Sequence, residues 1–374
     1  MVSLSKIFKR GHSPDILLLV VGGFLIVFGL VMLASASSHI AQAQFGDPYF
    51  YLTRQVIRGV LLGLILFFIT SKVHYRVYSH KAISVGFFLF TLLLVLLVFT
   101  PLGISANGAQ RWLSIGSFSF QPAELLKISL VIYLAAWMSQ KGYRQVNVKK
   151  GLIPFVAVMS FILVVLVLQR STSPVFILLL VSVIMYFMSG AKLKYLFGFL
   201  VCAFIVMSLI VKISPYRADR FFNYLNPEDD PSGSGFHAIQ AKTAIGAGGL
   251  IGVGYGKSTV KFLLPEPIGD SIFAVMAEEF GFIGSTFLLL LFSIFVIRIY
   301  VLSTRVRDDF GRLLLIGFAS LIGIQACVNI GAMTGVLPLT GTPLPFISYG
   351  STALAIFIAM LGIIINISKY TRRS

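Results

Sequence analysis

Runs of apolar residues, each close to the roughly 20 needed to cross a hydrocarbon core about 30 Å thick, recur from one end of this chain to the other. Inside lipid such a run finds no water to hydrogen-bond to, so it satisfies its own backbone as a helix. That pattern leaves one architecture open, an all-α polytopic integral membrane protein. Composition agrees: of 374 residues, 57% are hydrophobic and 11% charged, and the mean hydropathy is +0.93, more apolar surface than a water-soluble domain can bury. We place about ten transmembrane helices, at 15–36, 56–71, 82–100, 122–139, 152–169, 174–190, 195–213, 271–300, 313–333 and 350–368, in a single transmembrane domain covering 1–374.

The formal charge of +17 comes from Lys and Arg clustered in the loops rather than along one stripe, which argues for membrane topology and against a nucleic-acid partner. One side holds Lys6, Lys9 and Arg10; Lys72, Arg76 and Lys81; Lys141, Arg144, Lys149 and Lys150; Lys192 and Lys194; Arg305, Arg307 and Arg312; and Lys369, Arg372 and Arg373. The excess of positive charge on the inner face makes that side, with both termini, cytoplasmic. The first apolar run is too long for a signal peptide and ends in no small-residue cleavage site, so it reads as an uncleaved helix. Three sizeable stretches fall outside, 101–121, 214–270 and 334–349. The longest carries Pro227, Pro231, Pro265, Pro267 and a glycine-rich run from Gly246 to Gly256, and is expected to be a large structured extracytoplasmic loop with turns and short helices. Cys202 and Cys327 lie inside apolar segments and read as small buried hydrophobes, not a disulfide framework. His12, His39, His74, His80 and His237 show no ligand spacing.

Acidic residues number only 13, and ionisable groups at membrane depth mark function by default. Asp270 stands where the large outer loop enters the eighth span; a carboxylate there is also an ordinary helix cap. Glu278 and Glu279 follow inside that span, and at least one needs a partner. Glu124 and Lys127, at i and i+3 in the fourth span, share a helix face and fit a structural ion pair equally well. Arg111 and Trp112 sit just above the membrane, where an indole is also an interfacial anchor. Arg217, Arg220, Lys257 and Lys261 put further positive charge on a face where it is normally depleted, which suits an anionic ligand, phosphate above all. The glycine-rich run lacks the spacing and strand–turn–helix context of a nucleotide loop and reads as flexibility or close packing.

Taken in order, four long motifs resemble one family over nearly the whole chain. They are Asn107-Gly108-Ala109-Gln110-Arg111-Trp112; Gln121-Pro122-Ala123-Glu124-Leu125-Leu126-Lys127; Leu264-Pro265-Glu266 with Asp270, Phe273-Ala274-Val275 and Glu278-Glu279-Phe280-Gly281; and Gly335-Val336-Leu337-Pro338 with Gly341-Thr342-Pro343-Leu344-Pro345-Phe346-Ile347-Ser348-Tyr349-Gly350. The chain resembles the SEDS family of cell-wall glycosyltransferases. Pro215-Tyr216-Arg217 with Arg220, Asn226-Pro227, Asp230-Pro231 and Gly233-Ser234-Gly235 are more similar to its FtsW branch than to its RodA branch.

The resemblance implies polymerisation of lipid II into peptidoglycan strands on the outer face of a bacterial cytoplasmic membrane during cell division. It puts Asp270 at the position of the family's essential acidic residue and Trp112 at that of its conserved tryptophan. Arg111, Glu124 and Lys127 match positions lining the same cavity. The implied partners are a class B penicillin-binding protein, which crosslinks the new strand, and other division proteins. One motif departs: Gln169-Arg170-Ser171-Thr172-Ser173-Pro174 stands where the family has Gln-Pro-Asp-Leu-Gly-Thr, so Ser171 replaces a carboxylate and Ser173 a glycine. Ser351 replaces a second glycine after Gly350.

Such a reaction needs a base for the acceptor hydroxyl and charge stabilisation for the departing pyrophosphate. Asp270 can deprotonate the acceptor 4-hydroxyl, or hold a divalent cation, magnesium or manganese, on the pyrophosphate; both roles stay open. Arg111, Arg217, Arg220, Lys257 and Lys261 are the candidates for gripping pyrophosphate, Arg111 and Lys257 first. No nucleotide is expected, because the activated ester carries its own leaving group. Two rival readings are a flippase for the same lipid-linked precursor, and a non-catalytic scaffold for the crosslinking enzyme.

Overall fold

The computed structural model describes residues 12–106, 109–115, 118–140, 147–169, 171–191, 198, 224, 226–231, 233 and 235–372. Helices α1 (Ile16–Phe45), α2 (Phe50–Lys72), α5 (Val148–Leu168), α8 (Ile272–Arg305), α9 (Asp309–Met333) and α10 (Ser351–Ser368) are each long and apolar enough to cross a membrane. Between them stand the shorter α3 (Lys81–Leu97), α4 (Pro122–Met138) and α6 (Thr172–Met188). The chain is a mostly helical membrane fold, and the candidate span 195–213 lies, apart from residue 198, outside the described residues.

Local chemistry sets several boundaries. The Asp15 carboxylate accepts from Leu18 N at 3.1 Å and caps α1. The helix then runs past residue 36, where the apolar count suggested an end, because nothing between Ser37 and Gln44 breaks it. It stops where Gly46 turns left-handed at φ 71° and returns its N–H to Gln42 O. α9 and α10 are the most enclosed of the long helices. Small residues let α2 approach α10: a Cβ at Gly63 would lie 3.1 Å from Ala355 Cα, and one at Gly362 would lie 2.7 Å from Phe67 O. Cys327, expected to be buried, is a free thiol exposed on α9.

One element corrects the all-helical expectation. Three segments, β1 (Gly103–Ala106), β2 (Ala109–Ile115) and β3 (Phe118–Phe120), form an antiparallel sheet in the order β1-β2-β3. Ala106 pairs with Ala109, so two residues, Asn107 and Gly108, connect β1 to β2; that dipeptide is the commonest sequence signal for a two-residue hairpin. Leu113 faces Phe120 across the ladder, and both pack on Val98 at the end of α3 with Leu94, Leu97 and Leu125 around them. Strands are admissible here because the segment lies beyond the apolar spans, where open sheet edges meet water.

The eighth span also differs from expectation. α8 is broken at Gly281, whose φ of 64° and ψ of −161° lie outside the helical region. A break in a membrane helix frees backbone groups that lipid cannot satisfy, and here the glycine-rich run takes them. Val253 and Gly254 donate their N–H groups to Glu278 O and Glu279 O, each at 3.0 Å, while Phe282 and Ile283 donate to Gly249 O (2.9 Å) and Leu250 O (3.1 Å). The contact leaves no room for side chains: a Cβ on Gly252 would stand 2.2 Å from Glu279 O, and one on Gly281 2.4 Å from Gly252 N. Leading into the run, α7 (Phe236–Ala247) descends beside the upper part of α8, with His237 against Ser271 at its start and Gly248 against Ala277 at its end. The glycine run is therefore close packing, and the segment 236–270 reaches the level of the break.

Gly252→Val combines that clash with a positive φ of 82°, whereas Gly256→Ala has a similar φ of 77° but open space around it. The second is expected to cost only the left-handed backbone strain of about 1–2 kcal/mol. Thermal unfolding of the two variants in detergent is expected to show a melting-temperature drop at least threefold larger for Gly252→Val; equal drops would mean the loop does not seal the break.

Candidate active site

Asp270 ends a tight turn that begins at Leu264. Glu266 adopts a left-handed φ of 49°, which lets its carbonyl accept from Gly269 N (2.9 Å) and Ser271 N (3.3 Å). This turn is clamped onto the loop 340–349. Asn329 Nδ2 donates to both Asp270 O (2.8 Å) and Thr342 O (2.7 Å), Ser348 Oγ donates to Gly269 O at 2.7 Å, and Tyr349 N donates to Ile268 O at 2.8 Å. From the other flank, Gln55 of α2 donates to Ser348 O (3.3 Å) and accepts from Gly350 N (3.2 Å). The clamp uses the backbone of the Asp270 turn. The half-buried carboxylate lies against Gly341, whose Cβ, if it had one, would stand 3.7 Å from Asp270 Oδ2.

The same loop walls a second group of charges. Gly341, Thr342 and Pro343 line a small cavity of about 30 Å³ together with Arg111 of β2, Glu124 and Lys127 of α4, and Ser171 and Ser173 at the head of α6. Glu124 and Lys127 form a salt bridge of 2.7 Å with both side chains almost fully buried. Lys127 also donates to Gln325 Oε1 at 2.7 Å, and Gln325 Nε2 donates to Pro343 O at 2.9 Å. The intramembrane pair thus reaches, through Gln325, the loop against which Asp270 rests. Ser173, at the departure from the family motif, donates its hydroxyl to Thr340 O. Trp112 follows Arg111 on β2, so strand alternation points it to the opposite face.

The remaining candidates fall elsewhere. Glu278 is a structural lock: it accepts from Ser258 Oγ, from Thr259 N at 2.9 Å and from Val260 N at 3.3 Å. Glu279 accepts from Ser35 Oγ of α1 and pairs with Lys261 Nζ at 3.7 Å. Lys261 is itself buried and donates to Gly256 O at 2.9 Å, so its ammonium is committed to this lock. Lys257, four residues earlier, is exposed on the glycine run. Arg217 and Arg220 lie outside the described residues. Sequence reasoning missed Gln325, Asn329, Gln55 and the His237–Ser271 pair, joined at 2.6 Å. For Gln325 and Asn329 a signal was present, two amides at i and i+4 inside an apolar helix, where an unpaired amide is costly.

These features define the class: a polytopic helical membrane protein whose buried Glu124–Lys127 pair and Asp270 converge on the one loop 340–349. The family model for FtsW, RodA and SpoVE, described as "Cell cycle protein", matches residues 15–373, and the chain belongs to that family. It is 36% identical to stage V sporulation protein E of Bacillus subtilis, over 96% of this chain and 98% of that protein. It is equally 36% identical to the probable peptidoglycan glycosyltransferase FtsW of Geobacter sp., over 97% and 99% of the two chains. Among solved structures it resembles a chain from work on the structural coordination of polymerization and crosslinking by a peptidoglycan synthase complex, with a TM-score of 0.79, 27% identity and coverage of 95% and 97%. It also resembles the rod shape determining protein RodA of Thermus thermophilus, with a TM-score of 0.70, 25% identity and coverage of 96% and 98%.

Proposed function

We infer that this chain is a peptidoglycan glycosyltransferase that polymerises lipid II into glycan strands during bacterial cell division. The observation that carries the reading is the single loop 340–349, which supports the Asp270 turn on one side and walls the Arg111–Glu124–Lys127 cavity on the other. Membership of a family whose relatives are named probable peptidoglycan glycosyltransferases supports it.

In the proposed reaction the 4-hydroxyl oxygen of the acceptor sugar attacks the anomeric carbon of the donor. The carbon–oxygen bond to the lipid pyrophosphate breaks, and the hydroxyl proton passes to the Asp270 carboxylate. A carboxylate positioned beside the acceptor hydroxyl can serve as the general base for this step. Arg111 is the group best placed to meet the pyrophosphate, its planar guanidinium suiting two oxygens at once. Trp112 is assigned to the sugar-bearing face, and Arg217, Arg220 and Lys257 to attracting the anionic lipid pyrophosphate. Lys261 belongs to the Glu279 lock, and Lys127 with Glu124 positions the loop. Arg111→Ala is expected to raise KM about tenfold with little loss of stability. Lys261→Ala strands a buried Glu279 and is expected to lower the melting temperature with a stability loss of about 3–5 kcal/mol.

Magnesium or manganese fits the Asp270 site as magnesium usually binds, through one carboxylate with the remaining positions left to water and phosphate oxygens; among the described residues no group of three or more His, Cys, Asp or Glu offers a larger cage. Asp270 would hold the ion, which would supply charge neutralisation on the pyrophosphate. The chain is proposed to cross the bacterial inner membrane about ten times, with both termini cytoplasmic and Asp270 outside. Its proposed partners are a class B penicillin-binding protein and other division proteins.

The test is polymer formation from labelled lipid II by the purified chain with its partner, across magnesium and manganese concentrations. Glycan ladders on a gel are expected. A folded complex that makes none but moves labelled lipid between leaflets would establish the flippase reading; neither activity would leave a scaffold.

A further inference from the structure

At the opposite end of the helices from Asp270, α1, α8 and the residues following α10 enclose an open cavity of about 430 Å³. Three guanidinium groups line it. Arg298 and Arg305 stand seven residues apart on one face of α8, and Arg372 is brought beside them because its N–H donates to Arg305 O at 3.0 Å. Asp15, the cap of α1, holds Arg298 through Nη2 at 2.7 Å and Nε at 2.9 Å. Among the described residues neither Arg305 nor Arg372 has a carboxylate at ion-pair distance. Among the described residues that line the cavity, three guanidinium groups therefore face one carboxylate. A cation in the last turn of a helix is ordinarily explained by the helix dipole, which accounts for Arg305 but not for Arg372 or for the cavity between them.

The second feature is apolar. From the cavity toward the membrane interior, Leu17 and Val20 of α1 and Ile294 and Ile297 of α8 are exposed. Higher up the two helices meet, Phe24 against the edge of Phe287 with centroids 5.8 Å apart. A basic pocket bordered by exposed apolar side chains of the same two helices has the polarity of a phospholipid and not of a free anion.

We propose that this cavity binds the phosphodiester headgroup of an anionic phospholipid, with acyl chain lying along α1 and α8. Arg305 and Arg372 take the phosphate, and Arg298 is fixed by Asp15 as the wall of the pocket. The assignment of the site to the cytoplasmic leaflet rests on the proposed topology; the binding itself does not. An occupied site would tie down the lower end of the helix whose upper end follows Asp270.

The test uses the full chain in detergent and native mass spectrometry. Phosphatidylglycerol, phosphatidylcholine, glycerol 3-phosphate and inorganic phosphate are titrated against the parent, Arg305→Gln/Arg372→Gln, and a control pair, Lys81→Gln/Arg307→Gln, that removes the same charge from residues that do not line the cavity. Arg372→Gln alone, beyond the last helix, serves if the double variant folds poorly. One phosphatidylglycerol per chain is expected, retained at least fivefold less by the cavity variants and undiminished in the control. Equal retention of phosphatidylcholine, or equal loss in the control pair, overturns the site. Saturation by glycerol 3-phosphate or inorganic phosphate at the same concentration overturns the lipid assignment in favour of a simple anion pocket.

Discussion

Asp270→Asn is expected to abolish glycan polymerisation while leaving the protein folded. The amide has nearly the shape of the carboxylate but neither takes a proton from the acceptor hydroxyl nor carries the charge to hold a cation. Loss of a general base alone removes about 10²–10⁴-fold in rate. The fold survives because the contacts securing this turn run through backbone carbonyls: Asn329 reaches Asp270 O, Ser348 reaches Gly269 O, and Tyr349 N reaches Ile268 O. The measurement is polymer yield from labelled lipid II at matched protein, with melting temperature recorded in parallel. A melting temperature within two degrees of the parent with no polymer is the expected result. Polymer at the parent rate would remove Asp270 from the chemistry. A divalent-metal titration then divides its two roles: in the ligand role the parent rate rises and saturates with metal, and in the base role it is insensitive to metal.

The second large effect is expected at the Glu124–Lys127 pair. Both side chains are almost fully buried and 2.7 Å apart, so removing one partner leaves a buried charge without its counter-ion. Lys127→Met is expected to cost about 3–5 kcal/mol. It also drops the bond to Gln325 Oε1, and Gln325 is what holds Pro343 O; activity is therefore expected to fall together with stability. Glu124→Gln/Lys127→Met removes both charges and is expected to recover most of the lost stability without recovering the activity, since the link to the loop stays cut. Unfolding of the two single variants and the double variant in mixed micelles gives the coupling energy. Additive losses would mean that the charges do not depend on one another.

The contrast between those two sites shows what was readable beforehand. Asp270, Glu124 and Lys127 stood out because charge inside or beside an apolar run is costly wherever the run packs, and that cost is a property of local sequence. Asn107-Gly108 was equally local and signalled the hairpin joining β1 and β2, but the requirement for helices within lipid was extended to a segment outside it. Gln325 and Asn329 were legible as polar residues in an apolar helix. Two of their partners, Pro343 and Thr342, lie in the loop that follows the same helix, but Lys127 and Asp270 come from distant parts of the chain.

Lys257 and Lys261 mark the limit. They lie four residues apart in one loop, and composition gives no reason to separate them. One is exposed and the other is sealed against Glu279, Ser35 O and Gly256 O, because α1 and the break at Gly281 meet there. The sequence by itself determined that this chain is a bundle of membrane helices with a few charges set inside or beside its apolar runs, since apolar length and the cost of unpaired groups in lipid act residue by residue. Only the tertiary structure decided which charges serve the fold and which remain for a ligand, because burial of a side chain depends on what other segments bring against it.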